Sequence, residues 1–199
     1  MEEIKRVRMS GKERRKQIID VSRNLFAKEK YQKTTMATIA KEIGVTEPLI
    51  YRHFKNKKEL FLTILKEDHE AIAFITYDFL KKKGNAIELY QGLFNVILHN
   101  MKQDPQLAKI TILATSIEDK DIRSQIRFFD KTIENVITQD LKNRGRDLGV
   151  SLNFRPEVIA RIFISLMVGR AHLIMIEKEG NIDSIFHESM ALMFSNSTI

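Results

Sequence analysis

Apolar residues recur at three- and four-residue steps along almost the whole of this chain. Ile18, Val21, Leu25 and Phe26 keep that step near the start, as do Leu60, Ile64, Ile72, Ile75 and Phe79 further on. Ile122, Ile126, Phe129, Ile133, Ile137 and Leu141 repeat it later. A turn of 3.6 residues puts such positions on one helix face, whereas a half-buried strand needs strict alternation. No sustained alternation occurs, and no Asn-Gly or Asp-Gly hairpin signal interrupts the 199 residues. The chain is therefore expected to be all-α, with about nine helices and no strand.

Helix starts and stops are marked by a small set of residues. A first helix is expected over 12–29. A short second helix over 36–43 opens on Thr35 as N-cap. A third runs from Glu47 to about Phe54. The fourth opens at "NKKE", with Asn56 as N-cap and Glu59 three residues inside the helix. It reaches Lys83, where Gly84 would take the left-handed cap conformation. The fifth covers 86–101, and Asp104-Pro105 opens the sixth. The seventh covers 119–144. Pro156 opens the eighth, which runs to Lys178 with Gly180 as its cap, and the ninth covers 182–195.

The briefest interruption is the most informative. In "IAKEIGVTEPLIYRHFKNKKELF", residues 39–61, a helical pattern stops at Gly44 and restarts three residues later. Gly44 can stop a helix in the left-handed region without steric cost. Val45 plugs the corner, Thr46 caps the next helix, and Pro48 sits in its first turn, where a missing N–H is harmless. Two short helices joined in this way form a helix-turn-helix, with the first helix as the third wall of a small core. Such a unit presents one helix to the major groove of DNA. Thr46 and Glu47 stand at the end that faces base edges. Tyr51, Arg52 and His53 offer donors, and Lys55, Lys57 and Lys58 surround the start of the fourth helix.

Charge follows the same division. Net charge is +7, but residues 1–66 hold 17 Lys/Arg against 8 Asp/Glu, while the remainder holds 16 against 18. The first third alone is thus suited to a polyanion, either nucleic acid or an anionic membrane surface. This places a DNA-binding domain at 1–56 and a second helical domain at 57–199.

The stretch "RRKQIIDVSRNLFAKEKYQKTTMATIAKEIGVTEPLIYRHFKNKKELF" resembles the DNA-binding domain of the TetR family of bacterial transcriptional repressors. Phe26, Tyr31, Thr34-Thr35, Ile39-Ala40, Gly44-Val45-Thr46, Tyr51, His53-Phe54, Lys57 and Leu60 stand at that family's spacing. The match covers about the first 65 residues. Beyond it only the helix count and "RPEVIARIFISLMVGR", similar to the family's dimerisation helix, agree. The resemblance implies a homodimer on double-stranded operator DNA, with repression as the default, and a ligand pocket among the fourth to seventh helices. It implies phosphate contacts from Thr35, Tyr51, His53 and Lys57, and groove contacts from Thr46, Glu47 and Pro48. Lys30, Ser22 and Pro48 depart from the family pattern. Lys30 replaces a Gly, so a non-glycine residue would be held at positive φ.

The remaining two thirds carry no HExxH, GxSxG or Gly-rich phosphate loop, so no enzyme activity and no cofactor are expected. His69, His99, His172 and His187 fall on separate helices. Glu67, Asp68, His69 and Glu70 are consecutive, hence spread around a helix, and read as a solvated face rather than a metal site. Apolar surface is in excess. The eighth helix is apolar on more than one side and needs two partners: its own domain and a second subunit, with Phe163, Met167, Gly169 and Arg170 at the interface. The alternative is a thick monomer core. Tyr90, His99, Asn100 and Arg127 are the polar candidates for orienting a ligand, beside Phe94 and Phe129. The lining favours a small hydrophobic effector, a lipid-like acid or an aromatic drug, over a sugar or nucleotide.

Cys is absent, and "MEEIKRVRMSGKERRK" has no apolar core of a secretory signal. The most apolar stretch is broken by Arg161, Arg170 and His172, so no membrane span is expected, and the protein is expected in the cytoplasm. The rival reading is a helical ligand-binding or enzymatic protein whose basic N-terminus rests on a membrane surface. It requires an apolar helix face open to lipid, which the three-helix core would consume.

Overall fold

The computed structural model describes residues 9–147, 152–176 and 182–193. These form nine α-helices: α1 Gly11–Glu29, α2 Met36–Ile43, α3 Glu47–Tyr51, α4 Lys57–Leu80, α5 Ala86–Gln103, α6 Pro105–Thr115, α7 Lys120–Asp147, α8 Pro156–Met175 and α9 Ile182–Met193. The Gly180 cap and the final turn foreseen past Met193 lie outside the described residues.

The chain divides into two compact units, 1–64 and 65–199, within α4 and later than the 56/57 division read from the sequence. Leu60, Phe61 and Ile64 explain the difference. All three are fully buried, and the ring of Phe61 stands edge-on to Phe26 at 5.2 Å and to Tyr31 at 5.0 Å. The first two turns of α4 thus complete the core that Ile18, Phe26, Ile39, Ile50 and Phe54 build in the first unit.

In the second unit α8 packs against α5, α6, α7 and α9. Its core centres on aromatic rings. Phe94 stacks on Phe186 at 3.6 Å, and Phe163 meets Phe186 at 5.5 Å and Tyr90 at 5.9 Å, both edge-on. Helix ends follow the cap residues. Asn85 accepts from the N–H of Ile87 and Glu88, Asp104 from Gln106, and Asp119 from Asp121 and Ile122.

Gly84 corrects one expectation. It has φ 140°, outside the left-handed cap conformation, and α4 has already ended at Leu80. The end is set from across the unit. The Arg144 guanidinium on α7 donates to Leu80 O and Lys82 O, both at 3.0 Å, and its Nε donates to Asp140 at 2.8 Å. A cation at the open carbonyls of a helix C-terminus supplies what a glycine cap would otherwise supply.

Candidate nucleic-acid interface and apolar cavity

The break at Gly44 is a tight reversal. Gly44 sits at φ 74°, ψ 37°; its N–H donates to Lys41 O and that of Val45 to Ala40 O. This double closure is the Schellman arrangement, and it turns the chain directly into α3. Thr35 and Thr38 cap α2 reciprocally. Thr46 holds the N-cap position of α3 but makes no side-chain cap bond, so its exposed hydroxyl is not consumed by the helix. Pro48 and Arg52 are exposed, Glu47 and His53 half-buried, and Tyr51 is 48% exposed although its neighbour Ile50 is fully buried. The helix stops at Tyr51 rather than Phe54. His53 N–H donates to Ile50 O in a tighter turn that swings Phe54 into the core, where it meets the Arg15 guanidinium at 4.5 Å. Arg52 and His53 therefore stand on the turn after α3.

Lys57 is more constrained than the sequence reading supposed. Its ammonium donates to Tyr31 O at 2.7 Å and Gln32 O at 3.4 Å, and lies 4.4 Å from the centre of the Tyr31 ring. Partial burial moves its pKa below the usual lysine range. The cation thus clips the loop before α2 to the start of α4. Asn56 Oδ1 accepts from Glu59 N–H at 2.8 Å and Glu59 in turn accepts from Lys55 N–H at 2.8 Å, which holds that start in place. Lys30 has φ 70°, the only non-glycine residue at positive φ among those described.

The second unit holds a cavity of about 180 Å³ bounded by α4, α5, α6, α7 and α8. Ile72, Ile97, Met101, Phe129, Ile133 and Phe163 make much of its wall. Its polar lining consists of His69, Thr76, Thr111, Thr115 and Asp130. His69 is 4% exposed, stacks flat on Phe129 at 3.9 Å, and its Nδ1 has no hydrogen-bond partner among the described residues. Burial lowers its pKa to about 4, so the imidazole is neutral at physiological pH. Burial, then the nearby Glu134 carboxylate, raises that of Asp130.

Of the five ligand candidates, Phe129 lines this cavity. Tyr90 and Phe94 share the inward face of α5 with Ile97 and Met101, but the cavity touches only the later turns of that helix. The Tyr90 hydroxyl instead donates to Asp140 at 2.8 Å, inside the Arg144 cluster. Burial and the Asp140 charge raise its pKa well above the usual tyrosine value. His99 and Arg127 are exposed, each turned away from the inward positions beside it, and Asn100 donates to Val96 O. Asp68 and His69 are buried, not solvated. A face count would have found His69, which lies three residues before Ile72 and seven before Thr76 on one side of α4.

The residues expected at a dimer interface on α8 face mostly inward in the single chain. Phe163, Met167 and Arg170 follow one another at helical spacing and are buried within their own subunit, and Gly169 is half-buried. The outward stripe is Arg161, Ser165, Val168, His172 and Ile176. Ile185 and Leu192 of α9 are 51% and 71% exposed. No described helix is long and apolar enough to cross a membrane.

Residues 18–64 match the profile of the bacterial regulatory proteins of the tetR family. Nucleoid occlusion factor SlmA of Mannheimia succiniciproducens is 27% identical over 165 residues, covering 81% of this chain and 76% of that protein. The regulator FadR from Bacillus subtilis, solved with stearoyl-CoA, superposes with a TM-score of 0.76 at 20% identity, over 90% of this chain and 97% of that one. AibR, solved with isovaleryl coenzyme A and operator DNA, gives 0.72 at 16% identity, over 92% and 98%. The helix-turn-helix geometry and the profile match across it agree that residues 18–64 form a DNA-binding domain similar to that of the bacterial regulatory proteins of the tetR family.

Proposed function

We propose that the protein is a ligand-responsive repressor that binds a pseudo-palindromic operator as a homodimer and is released by a small apolar effector. The observation that carries the reading is the half-enclosed, mostly apolar cavity in the unit that does not hold the helix-turn-helix. A core without function would close such space, because unfilled volume costs packing energy. α4 links the two roles. It begins at Lys57, beside Asn56, and carries His69, Ile72 and Thr76 of the cavity wall further along the same helix. An effector that biases α4 changes the spacing of the two recognition helices in a dimer. Those helices must sit about 34–36 Å apart, or a multiple, to enter successive major grooves. FadR and AibR, solved with acyl-CoA ligands, give the same fold a sensing precedent.

In this reading Thr46, Glu47 and Pro48 meet base edges, and Thr35, Tyr51, Arg52, His53 and Lys57 meet phosphates. Subunits join through the outer stripe of α8 and through Ile185 and Leu192. The protein works in the cytoplasm, against the chromosome, and catalyses no reaction. The membrane-surface alternative needs the apolar face of α1 free for lipid, and Ile18, Ile19 and Phe26 are buried. A gel shift with the DNA upstream of the protein's own gene tests the reading. An effector that stabilises the free dimer must weaken operator binding, and operator must weaken effector binding by the same factor. Tight effector binding with no change in operator affinity refutes it.

A further inference from the structure

The cavity's polar groups share one property. Thr76 Oγ1 donates its proton to Ile72 O at 2.9 Å, Thr111 Oγ1 to Leu107 O at 2.9 Å, and Thr115 Oγ1 to Ile112 O at 2.7 Å. Each hydroxyl has spent its donor on its own helix and turns only acceptor lone pairs outward. Asp130 adds carboxyl oxygens. His69 is neutral, and the tautomer protonated at Nε2 leaves Nδ1 as a lone-pair acceptor with no partner among the described residues. Among the described residues no Lys or Arg lines the cavity. A carboxylate placed against these groups would lose hydration without a compensating cation among the described residues, which weakens its binding relative to a neutral donor.

We infer that the effector is an apolar molecule that carries a hydrogen-bond donor and no negative charge, with His69 and Thr111 among its acceptors. The inference rests on the sensor reading above and narrows it, because it ranks neutral or cationic donors above the free lipid-like acids admitted from composition. A phenol or alcohol satisfies Nδ1 through its O–H. A lipophilic amine satisfies the same acceptors and adds attraction to Asp130.

Four matched probes separate the possibilities: para-butylphenol, para-butylbenzylamine, para-butylanisole and para-butylbenzoate, titrated calorimetrically into the full-length protein at neutral pH. The phenol, the amine or both are expected to bind at least about tenfold more tightly than the anisole and the benzoate, the scale of one buried polar group left unpaired. The amine outrunning the phenol assigns Asp130 the larger share; the reverse assigns it to His69. His69→Phe, which keeps an aromatic ring against Phe129, and Thr111→Val, which keeps the side-chain shape, should each shrink the phenol-to-anisole ratio toward about twofold. The assignment is overturned if the benzoate or the anisole binds as tightly as the better donor probe, if the preference survives both substitutions, or if no probe binds. The sensor reading fails by a different result, a bound probe that leaves operator affinity unchanged.

Discussion

Acid should destabilise this protein through His69, and by an amount the structure sets. Unfolded, the imidazole titrates near 6.5; folded, burial against Phe129 holds it at about 4. Above pH 6.5 both states are neutral and the residue contributes no pH dependence. Between the two values the unfolded chain takes up a proton that the folded one refuses, so stability falls as pH falls. Integrated from neutrality to about pH 5, the difference is about 2 kcal/mol, or roughly 4–8 °C in Tm for a chain of this size. Carboxylates titrate over the same range. Asp130 acts in the opposite sense, since its raised pKa lets the folded state hold its proton more tightly than the unfolded one. The control is therefore His69→Phe, in which every other group remains and cancels in the difference. Thermal unfolding followed by circular dichroism at both pH values, on both proteins, gives the comparison. If wild type and variant lose the same stability on acidification, the imidazole charges freely in the folded state and the buried, unpartnered His69 of the cavity wall is wrong.

Four further outcomes follow from named contacts. Ser22 is fully buried with a hydroxyl that has no partner among the described residues, so Ser22→Ala should raise stability by about 1 kcal/mol in urea unfolding. Arg144→Met strands Asp140 and the carbonyls of Leu80 and Lys82, and should cost about 3–5 kcal/mol, against about 1 for Tyr90→Phe. Lys57→Ala should shallow the slope of log affinity against log salt by about one unit per subunit and also lower Tm, because the ammonium clips Tyr31 and Gln32; a lower Tm with an unchanged slope would leave Lys57 a structural role alone. Ile185→Glu and Leu192→Glu should yield folded monomers by analytical ultracentrifugation, whereas Met167→Glu should impair folding itself, since Met167 is buried within the subunit.

Helix boundaries were legible because they are local. Thr35, Gly44 and Asp104-Pro105 each act on backbone groups within a few residues, and a window of the sequence contains the whole interaction. The helix-turn-helix was legible for the same reason, with the Gly44-Val45-Thr46 turn closed by carbonyls of α2 itself. The end of α4 was not, because the residue that receives its carbonyls, Arg144, lies more than sixty positions away. Nothing near Lys83-Gly84 distinguishes a helix that stops there from one already stopped at Leu80.

The cavity was misread for a related reason. Periodicity says which residues share a face, not where along that face a void opens. Tyr90 and Phe94 were placed on the inward side of α5, and they are there; the space begins a turn later, at Ile97 and Met101. The run Glu67-Asp68-His69-Glu70 reads as a solvated face because consecutive residues spread around a helix. In a helix four consecutive residues sweep through nearly a full turn, so a charged run on a helix that packs on one side must place some member inward. Ile72 and Thr76 fix which member that is, since His69 stands three and seven residues before them. Asp68 is buried as well, so burial alone does not single out one member of the run; helical spacing does, and the neutral ring of His69 is the member that lines the cavity. Its Nδ1, without a hydrogen-bond partner among the described residues, is then the polar atom that α4 turns to the cavity.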